Sequence, residues 1–134
     1  MKFSNLKDEL EQAIQSSYET GVTVEEAEKL ASKFLYAQLA VSAELATADL
    51  DSRMRKSGVK ALRAAAYKSA TAGLEKKPTE NAIEHAINTD ADVSGEQDAF
   101  DKAEANKYEL ERLYSVYQNA HIHFRTIAKG QFGV

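Results

Sequence analysis

The strongest constraint on the fold is the scarcity of residues that break a helix. The chain of 134 residues contains one proline, Pro78, and the alanine-rich stretch of residues 23–72 contains none. Proline removes a backbone donor and clashes with the preceding turn, so its absence leaves a long stretch free to remain helical. Apolar residues recur at spacings of three and four positions, which is the period of an amphipathic helix. We therefore predict an all-α protein.

Local capping signals divide the chain into four predicted helices. Thr23 and Ser94 each precede a glutamate or glutamine three positions on, which is the spacing of a capping box. Thr79, directly after Pro78, is a third candidate cap, and Gly130 follows a basic last turn as a glycine cap does. The predicted helices cover about residues 5–17, 23–72, 79–88 and 94–129, within a single domain of residues 1–134.

The second predicted helix is apolar on more than one side, since its large apolar residues do not fall on a single stripe. A helix of this kind is usually buried among several partners. Gly58 lies inside it, and a glycine in a helix interior costs about 1 kcal/mol relative to alanine. Two alternatives stay open at this residue: a bend, or one continuous helix that tolerates the loss.

The last predicted helix has the most regular pattern in the chain. Eight positions are spaced alternately by three and four residues, which gives the 3.5-residue period of a heptad seam. The seam can join two chains in an oligomer, or it can pack against the second helix of the same chain. We expect long antiparallel helices in a coiled-coil-like bundle that is completed by oligomerisation. The seam residues are Ala103, Asn106, Leu110, Leu113, Tyr117, Ala120, Phe124 and Ile127.

No arrangement of residues in the sequence is typical of catalysis. The chain has no cysteine, which excludes a thiol nucleophile and a thiolate metal site. His121 and His123 are two positions apart and would point in different directions from a helix, while His85 stands alone. There is no glycine-rich phosphate loop, and no carboxylate lies in an apolar setting that would raise its pKa. We expect no enzymatic activity, no cofactor and no bound metal ion.

Hydropathy indicates the cellular location of the protein. The mean hydropathy is −0.48, and no run approaches the ~20 apolar residues of a membrane span. The first residues lead into a charged amphipathic stretch and not into the apolar core of a signal peptide. We therefore expect a cytoplasmic protein that has no membrane partner.

Charge is distributed unevenly along the chain. Residues 53–77 contain eight basic residues and one acidic residue, which is a net charge of +7. The whole chain carries −4, so the remainder carries −11. A patch of one sign attracts an anion or an acidic partner. We call residues 53–77 the basic segment, and phosphate-rich polymers are its first candidate ligands.

Several side chains of the basic segment share one face of the predicted helix. Four cations and one aromatic residue form a line about 20 Å long, at ~1.5 Å per residue. Cations release counterions from a phosphate backbone, and an aromatic ring can stack on any base. The alternatives are that this face is solvated or that it pairs with acidic residues of another helix. The predicted nucleic-acid-binding residues are Arg53, Lys56, Lys60, Arg63 and Tyr67 on the line, with Arg55 and Lys68 beside it.

Residues 90–101 have the oxygen spacing of a calcium loop between two helices. Aspartate stands at the twelfth position, where the bidentate glutamate belongs, and no second loop is present to pair with this one. The same residues also fit a turn followed by a helix cap and first-turn acids. We therefore expect no metal ion at this look-alike of a calcium loop, whose oxygen-bearing residues are Asp90, Asp92, Ser94, Glu96 and Asp101.

The layout of the chain is similar to that of the UvsY-type recombination mediators of T-even-like phages. A short first helix precedes a long helix with the basic stretch 53–63 and then Tyr67. Residues 83–92 follow as a short segment, and a long closing helix ends in the basic-glycine turn of residues 127–130. The resemblance covers most of the chain.

The resemblance implies a homo-oligomer that binds single-stranded DNA. Such a protein helps to load a strand-exchange recombinase onto DNA that is coated by single-strand-binding protein. Lys56, Lys60 and Arg63 would match the basic DNA-contacting stretch of the family, and the last helix would match its oligomerising part.

Two other functions are compatible with the same residues. The chain could be a small helical phage protein that binds and inhibits a host nuclease or defence complex, with its acidic remainder imitating nucleic acid. It could also be a subunit of a virion or of a DNA-packaging machine. A mediator should bind single strands with a strong dependence on salt, an inhibitor should bind a protein, and a packaging subunit should prefer duplex DNA.

Overall fold

The structure is a computed structural model that describes residues 3–130, with side chains described for residues 7–130. Over this range the chain forms four helices joined by short connections and no strand, and the helices pack against each other, so the prediction of an all-α fold is confirmed. The bounds differ from the predicted ones by at most three residues. The helices are α1 (Phe3–Thr20), α2 (Val24–Thr71), α3 (Glu80–Asn88) and α4 (Ala91–Ala128).

Local hydrogen bonds account for most of the helix ends. The Thr23 hydroxyl accepts the N–H three residues on at 3.2 Å, and α2 begins directly after it. Thr79 caps α3 in the same way, accepting the N–H of Ala82 at 3.2 Å. Beyond α4, Gly130 has a φ of +68° and donates its N–H to the Ile127 carbonyl at 2.9 Å. A positive φ favours glycine, which has no Cβ to clash.

The start of α4 differs from the prediction, which placed the cap at Ser94. The helix begins at Ala91, because the Asp90 carboxylate accepts the N–H groups of Asp92 at 2.9 Å and Val93 at 3.1 Å. Aspartate is as strong a cap as serine. The earlier cap therefore begins the helix, and Ser94 lies inside the first turns.

The contacts of the chain divide it into two compact units. Unit 1 consists of Met1–Leu45 and Glu109–Val134, and unit 2 consists of Ala46–Tyr108. Unit 1 thus contains α1 with the first part of α2 and the last part of α4. Unit 2 contains α3 with the remaining parts of α2 and α4.

An aromatic cluster forms the centre of unit 1. The Phe34 ring of α2 stacks on the Phe124 ring of α4 with centroids 5.6 Å apart, and it meets the Tyr117 ring at 5.8 Å. All three side chains are buried, as is Leu10 from α1. Buried aromatic side chains contribute much of the energy of a core, so this cluster is the main source of cohesion in unit 1.

In unit 2, the short helix α3 packs on α2 through a small apolar cluster. Ile83 and Ile87 of α3 are buried together with Val93 from the first turn of α4. Leu62 and Ala66 of α2 pack against them and are partly buried. This cluster holds α3 beside the second half of the basic segment.

Gly58 lies in unit 2, where α2 is one uninterrupted helix. A Cβ at this position would lie 3.2 Å from the Glu96 carboxylate oxygen. The missing side chain therefore leaves room for a side chain of α4 against the backbone of α2.

The heptad seam of α4 is used within the single chain. Its large residues Leu110, Leu113, Tyr117 and Phe124 are buried in unit 1. The seam therefore packs within the same chain, which is the second of its two predicted arrangements. Oligomerisation through the seam stays a prediction, and it would require this packing to be exchanged between chains. Of the smaller or polar members, Ala103 is buried, Ala120 and Ile127 are half-buried, and Asn106 is exposed.

Candidate nucleic-acid interface

The basic segment begins on the part of α2 that belongs to unit 2 and continues into the turn before α3. Helical spacing aligns its side chains, but the contacts of unit 2 separate them into two groups. One group forms ion pairs with carboxylates, and the other group, called the exposed group, is open to solvent and has no such pair with a described residue. Only the second group can bind an external polyanion without first breaking a contact.

Three arginines and Lys77 belong to the paired group, with Lys77 at 3.4 Å from Glu80. Arg53 contacts Asp49 at 3.0 Å, and Arg55 contacts Asp51 at 3.2 Å in the same helix. These pairs are four residues apart and largely exposed, so each contributes little to stability. Arg55 also lies 3.7 Å from a Glu96 oxygen of α4.

Arg63 is the most constrained cation of the predicted site. Its Nη2 donates to a Glu84 oxygen at 2.6 Å, and its Nη1 donates to the Asn88 amide oxygen at 3.2 Å. Both partners belong to α3. The predicted alternative of pairing with another helix is therefore what the structure has at Arg63.

Four lysines of the basic segment form the exposed group. Within residues 7–130, no carboxylate oxygen lies within 4.0 Å of their ammonium nitrogens. Two of them, Lys56 and Lys60, are one helical turn apart on the predicted line, and Tyr67 is 40% exposed two turns further on. Hydrogen bonds to Tyr67 and Glu80 raise the pKa of Lys77, so that ammonium stays charged. The exposed lysines are Lys56, Lys60, Lys68 and Lys76.

A charged network lies beside Lys56. The buried Ser52 hydroxyl donates to a Glu104 oxygen of α4 at 2.6 Å, and this bond lowers the pKa of Glu104, with smaller contributions from Lys107, Tyr108 and Lys56. Burial acts against the shift. Glu104 is therefore held as an anion beside the cationic line.

This hydrogen bond predicts a dependence of stability on pH. A carboxylate whose pKa is lowered by folding contributes stability above its unfolded pKa, and loses it as the pH falls through the folded pKa. Ser52→Ala should therefore be less stable than wild type at pH 7, with a gap that closes as the pH falls below about 4.3, the usual pKa of glutamate. Urea unfolding at several pH values measures the gap. The exposed Ser57→Ala variant is the control, and a Ser52→Ala gap independent of pH would contradict the assignment.

The segment that looks like a calcium loop is helical from Ala91 onward. Asp90 caps the helix. Asp92 and Glu96 lie on one face of α4 while Ser94 and Asp101 lie on the opposite face, so their oxygens cannot converge as they do in a loop. Among the described residues, no group of three or more histidine, aspartate or glutamate side chains is arranged to hold a metal ion.

The histidines of α4 have structural contacts. His121 Nδ1 lies 2.8 Å from the carbonyl oxygen of Ala31, a hydrogen bond that joins α4 to α2 within unit 1. The His123 ring meets the Phe124 ring edge-on at 5.1 Å. His121 thus belongs to the packing of unit 1, whereas His123 is exposed.

Sequence reasoning missed two features of unit 2. The first is the identity of the acidic partners on α3 and α4, because pairing with another helix was a predicted alternative but Glu84 and Glu96 were not named as its partners. The sequence does carry a signal for them, because residues 80–104 contain eight acidic residues and one basic residue. The second is a pair of exposed apolar side chains on α2, Leu50 at 58% and Met54 at 65% exposure.

No protein-family model, curated protein or solved structure matches the chain. None of the helices within residues 3–130 combines the length and the low charge needed to span a bilayer.

Proposed function

We propose that the chain is a non-catalytic protein that binds single-stranded DNA through the exposed face of α2 in unit 2. The observation that carries the proposal is the alignment of Lys56, Lys60 and Tyr67 on one helix face. Both lysines lack an ion pair within the described residues, and the tyrosine ring is partly open to solvent. Two ammonium groups and one ring face are the elements of a sequence-tolerant single-strand contact.

Duplex DNA is the weaker candidate for this face. A ring can stack only on a base whose face is free, and in a duplex the neighbouring base pairs cover those faces. The cations of α2 form a single line, which follows one phosphate backbone better than two. The site therefore favours a single strand.

With this activity, the chain would serve as a cytoplasmic accessory protein of DNA recombination, as the resemblance to UvsY-type mediators suggests. A homo-oligomer would bring several cationic faces to one strand, so that weak contacts combine into useful affinity. A recombinase or a single-strand-binding protein would be the protein partner.

The test is fluorescence anisotropy of a labelled ~30-nucleotide single strand, titrated at low and near-physiological salt with the matching duplex as control. We expect tighter binding of the single strand, with affinity that falls as salt rises. Equal affinity for the duplex would contradict the single-strand assignment. No binding at low salt would contradict the proposed function.

A second candidate is a protein-interaction module, such as an inhibitor of a host nuclease or defence complex. The exposed Leu50 and Met54 side chains favour it, because exposed apolar side chains beside charged ones are common at protein interfaces. A DNA-packaging or virion subunit has no such observation in its favour. Under the second candidate, Leu50→Ser with Met54→Ser should abolish binding of the partner protein and leave DNA affinity unchanged.

A further inference from the structure

Helix α3 places its acidic side chains on cations of the basic segment. Glu84 accepts from Arg63 at 2.6 Å, and Asn88 accepts from the same guanidinium at 3.2 Å. Glu80 lies 3.4 Å from the ammonium of Lys77. Two of the eight cations of the segment are therefore engaged by one short helix of the same chain.

The geometry at Arg63 is the one that a phosphate group would use. A guanidinium presents its N–H donors as a planar fork, and this fork matches two acceptor oxygens side by side. In the structure, a carboxylate oxygen and an amide oxygen occupy the fork. Both acceptors therefore stand where the oxygens of a phosphate would bind.

The attachment of α3 to α2 is slight. The helix has nine residues, and its buried side chains are Ile83 and Ile87. The ion pair is open to water, with the Arg63 and Glu84 side chains 36% and 57% exposed. Exposed ion pairs contribute little to stability and weaken as salt rises. An anion of higher charge density can therefore replace Glu84, and the cost of moving α3 is the exposure of Ile83 and Ile87.

We propose that α3 competes with DNA for two cations of the basic segment. Glu80 pairs with Lys77 and Glu84 pairs with Arg63 until the phosphates of a bound strand displace both glutamates. The inference rests on the proposed function and adds its regulation. In the free protein, Arg63 and Lys77 are not available to a ligand. A strand can contact these two cations only after it displaces α3. Long, dense polyanions are thereby favoured over short or sparse anions, which cannot make enough contacts to move the helix.

The test compares two double variants that change the net charge equally. Glu80→Gln with Glu84→Gln removes the competing charges but keeps side chains that can accept hydrogen bonds. Glu28→Gln with Glu111→Gln removes two exposed charges from unit 1, where neither glutamate forms an ion pair with a described residue. Anisotropy with the same ~30-nucleotide strand measures the affinity of each variant and its slope against salt.

The α3 variant should bind about threefold to tenfold more tightly than wild type, with a salt slope steeper by up to about 1.4, which is ~0.7 for each cation released from a carboxylate. The unit 1 control should stay within about twofold of wild type, because neither Glu28 nor Glu111 forms an ion pair with a described cation of the basic segment. Equal affinities of wild type and both variants would overturn it and leave the proposed function intact, whereas no binding by any of the three proteins would overturn both.

Hydrogen exchange of the wild type gives a readout that needs no variant. The amides of Ile83 and Ile87 should lose protection when the strand is added, because their helix leaves its position on α2. Unchanged or increased protection in the bound protein would overturn the displacement. Circular dichroism of the variants checks that the substitutions leave the helical content intact.

Discussion

Phe34→Ala is expected to lower the free energy of unfolding by about 3–5 kcal/mol, the usual cost of removing a buried phenylalanine ring. The Phe34 side chain is fully buried between the rings of Phe124 and Tyr117, with centroid distances of 5.6 and 5.8 Å. Alanine leaves a cavity that two aromatic neighbours cannot fill without moving away from their own contacts. Small proteins have a free energy of unfolding of about 5–15 kcal/mol, so this change alone removes a large part of that stability.

The measurement is urea unfolding followed by circular dichroism. Leu39→Ala is the matched control on the same helix, because Leu39 is 65% exposed and its truncation should change the free energy of unfolding by no more than about 0.5 kcal/mol. A loss below about 1 kcal/mol for Phe34→Ala would show that the aromatic cluster is not the centre of unit 1.

Lys56→Ala with Lys60→Ala is expected to weaken the binding of single-stranded DNA roughly tenfold at near-physiological salt. Each cation that contacts a phosphate releases counterions, and loss of two such contacts should reduce the salt slope by about 1.4. Alanine is the best helix former, so the helical content of α2 should not fall. Anisotropy at four or more salt concentrations gives the affinity and the slope together.

Lys29→Ala with Lys129→Ala is the matched control for this variant. It removes the same charge from unit 1, at two exposed lysines outside the basic segment. We expect its affinity to remain within about twofold of wild type. An equal loss in both variants would mean that net charge governs binding, and no loss in either would remove Lys56 and Lys60 from the site. Arg63→Ala is a poorer probe, because it also removes the hydrogen bonds to Glu84 and Asn88 of α3.

The helices could be predicted from the sequence because their ends depend on neighbouring residues. Thr23, Thr79 and Gly130 each act within three residues along the chain, and each has the predicted role. The start of α4 was missed where two local caps compete. Asp90 and Ser94 are both good caps, and their spacing in the sequence does not show which of them begins the helix.

The partners of the helices could not be predicted in the same way. A heptad spacing in α4 is equally suited to a second chain and to α2 of the same chain, because both supply an apolar helix face. The division of the cations also depends on tertiary contacts. Arg63 is bound by Glu84 and Asn88 of α3, whereas Lys60, one turn away, has no ion pair with a described residue.

The order in which the chain is synthesised has a consequence for its two units. Unit 2 is one continuous stretch, so all its residues are synthesised before the second segment of unit 1. The hydrogen bond between Ala31 and His121 joins residues 90 positions apart, and contacts of such long range form late. During synthesis, the apolar face of the first segment of unit 1 therefore stays uncovered until the end of α4 leaves the ribosome. In that interval, this uncovered apolar face is a binding site for a chaperone.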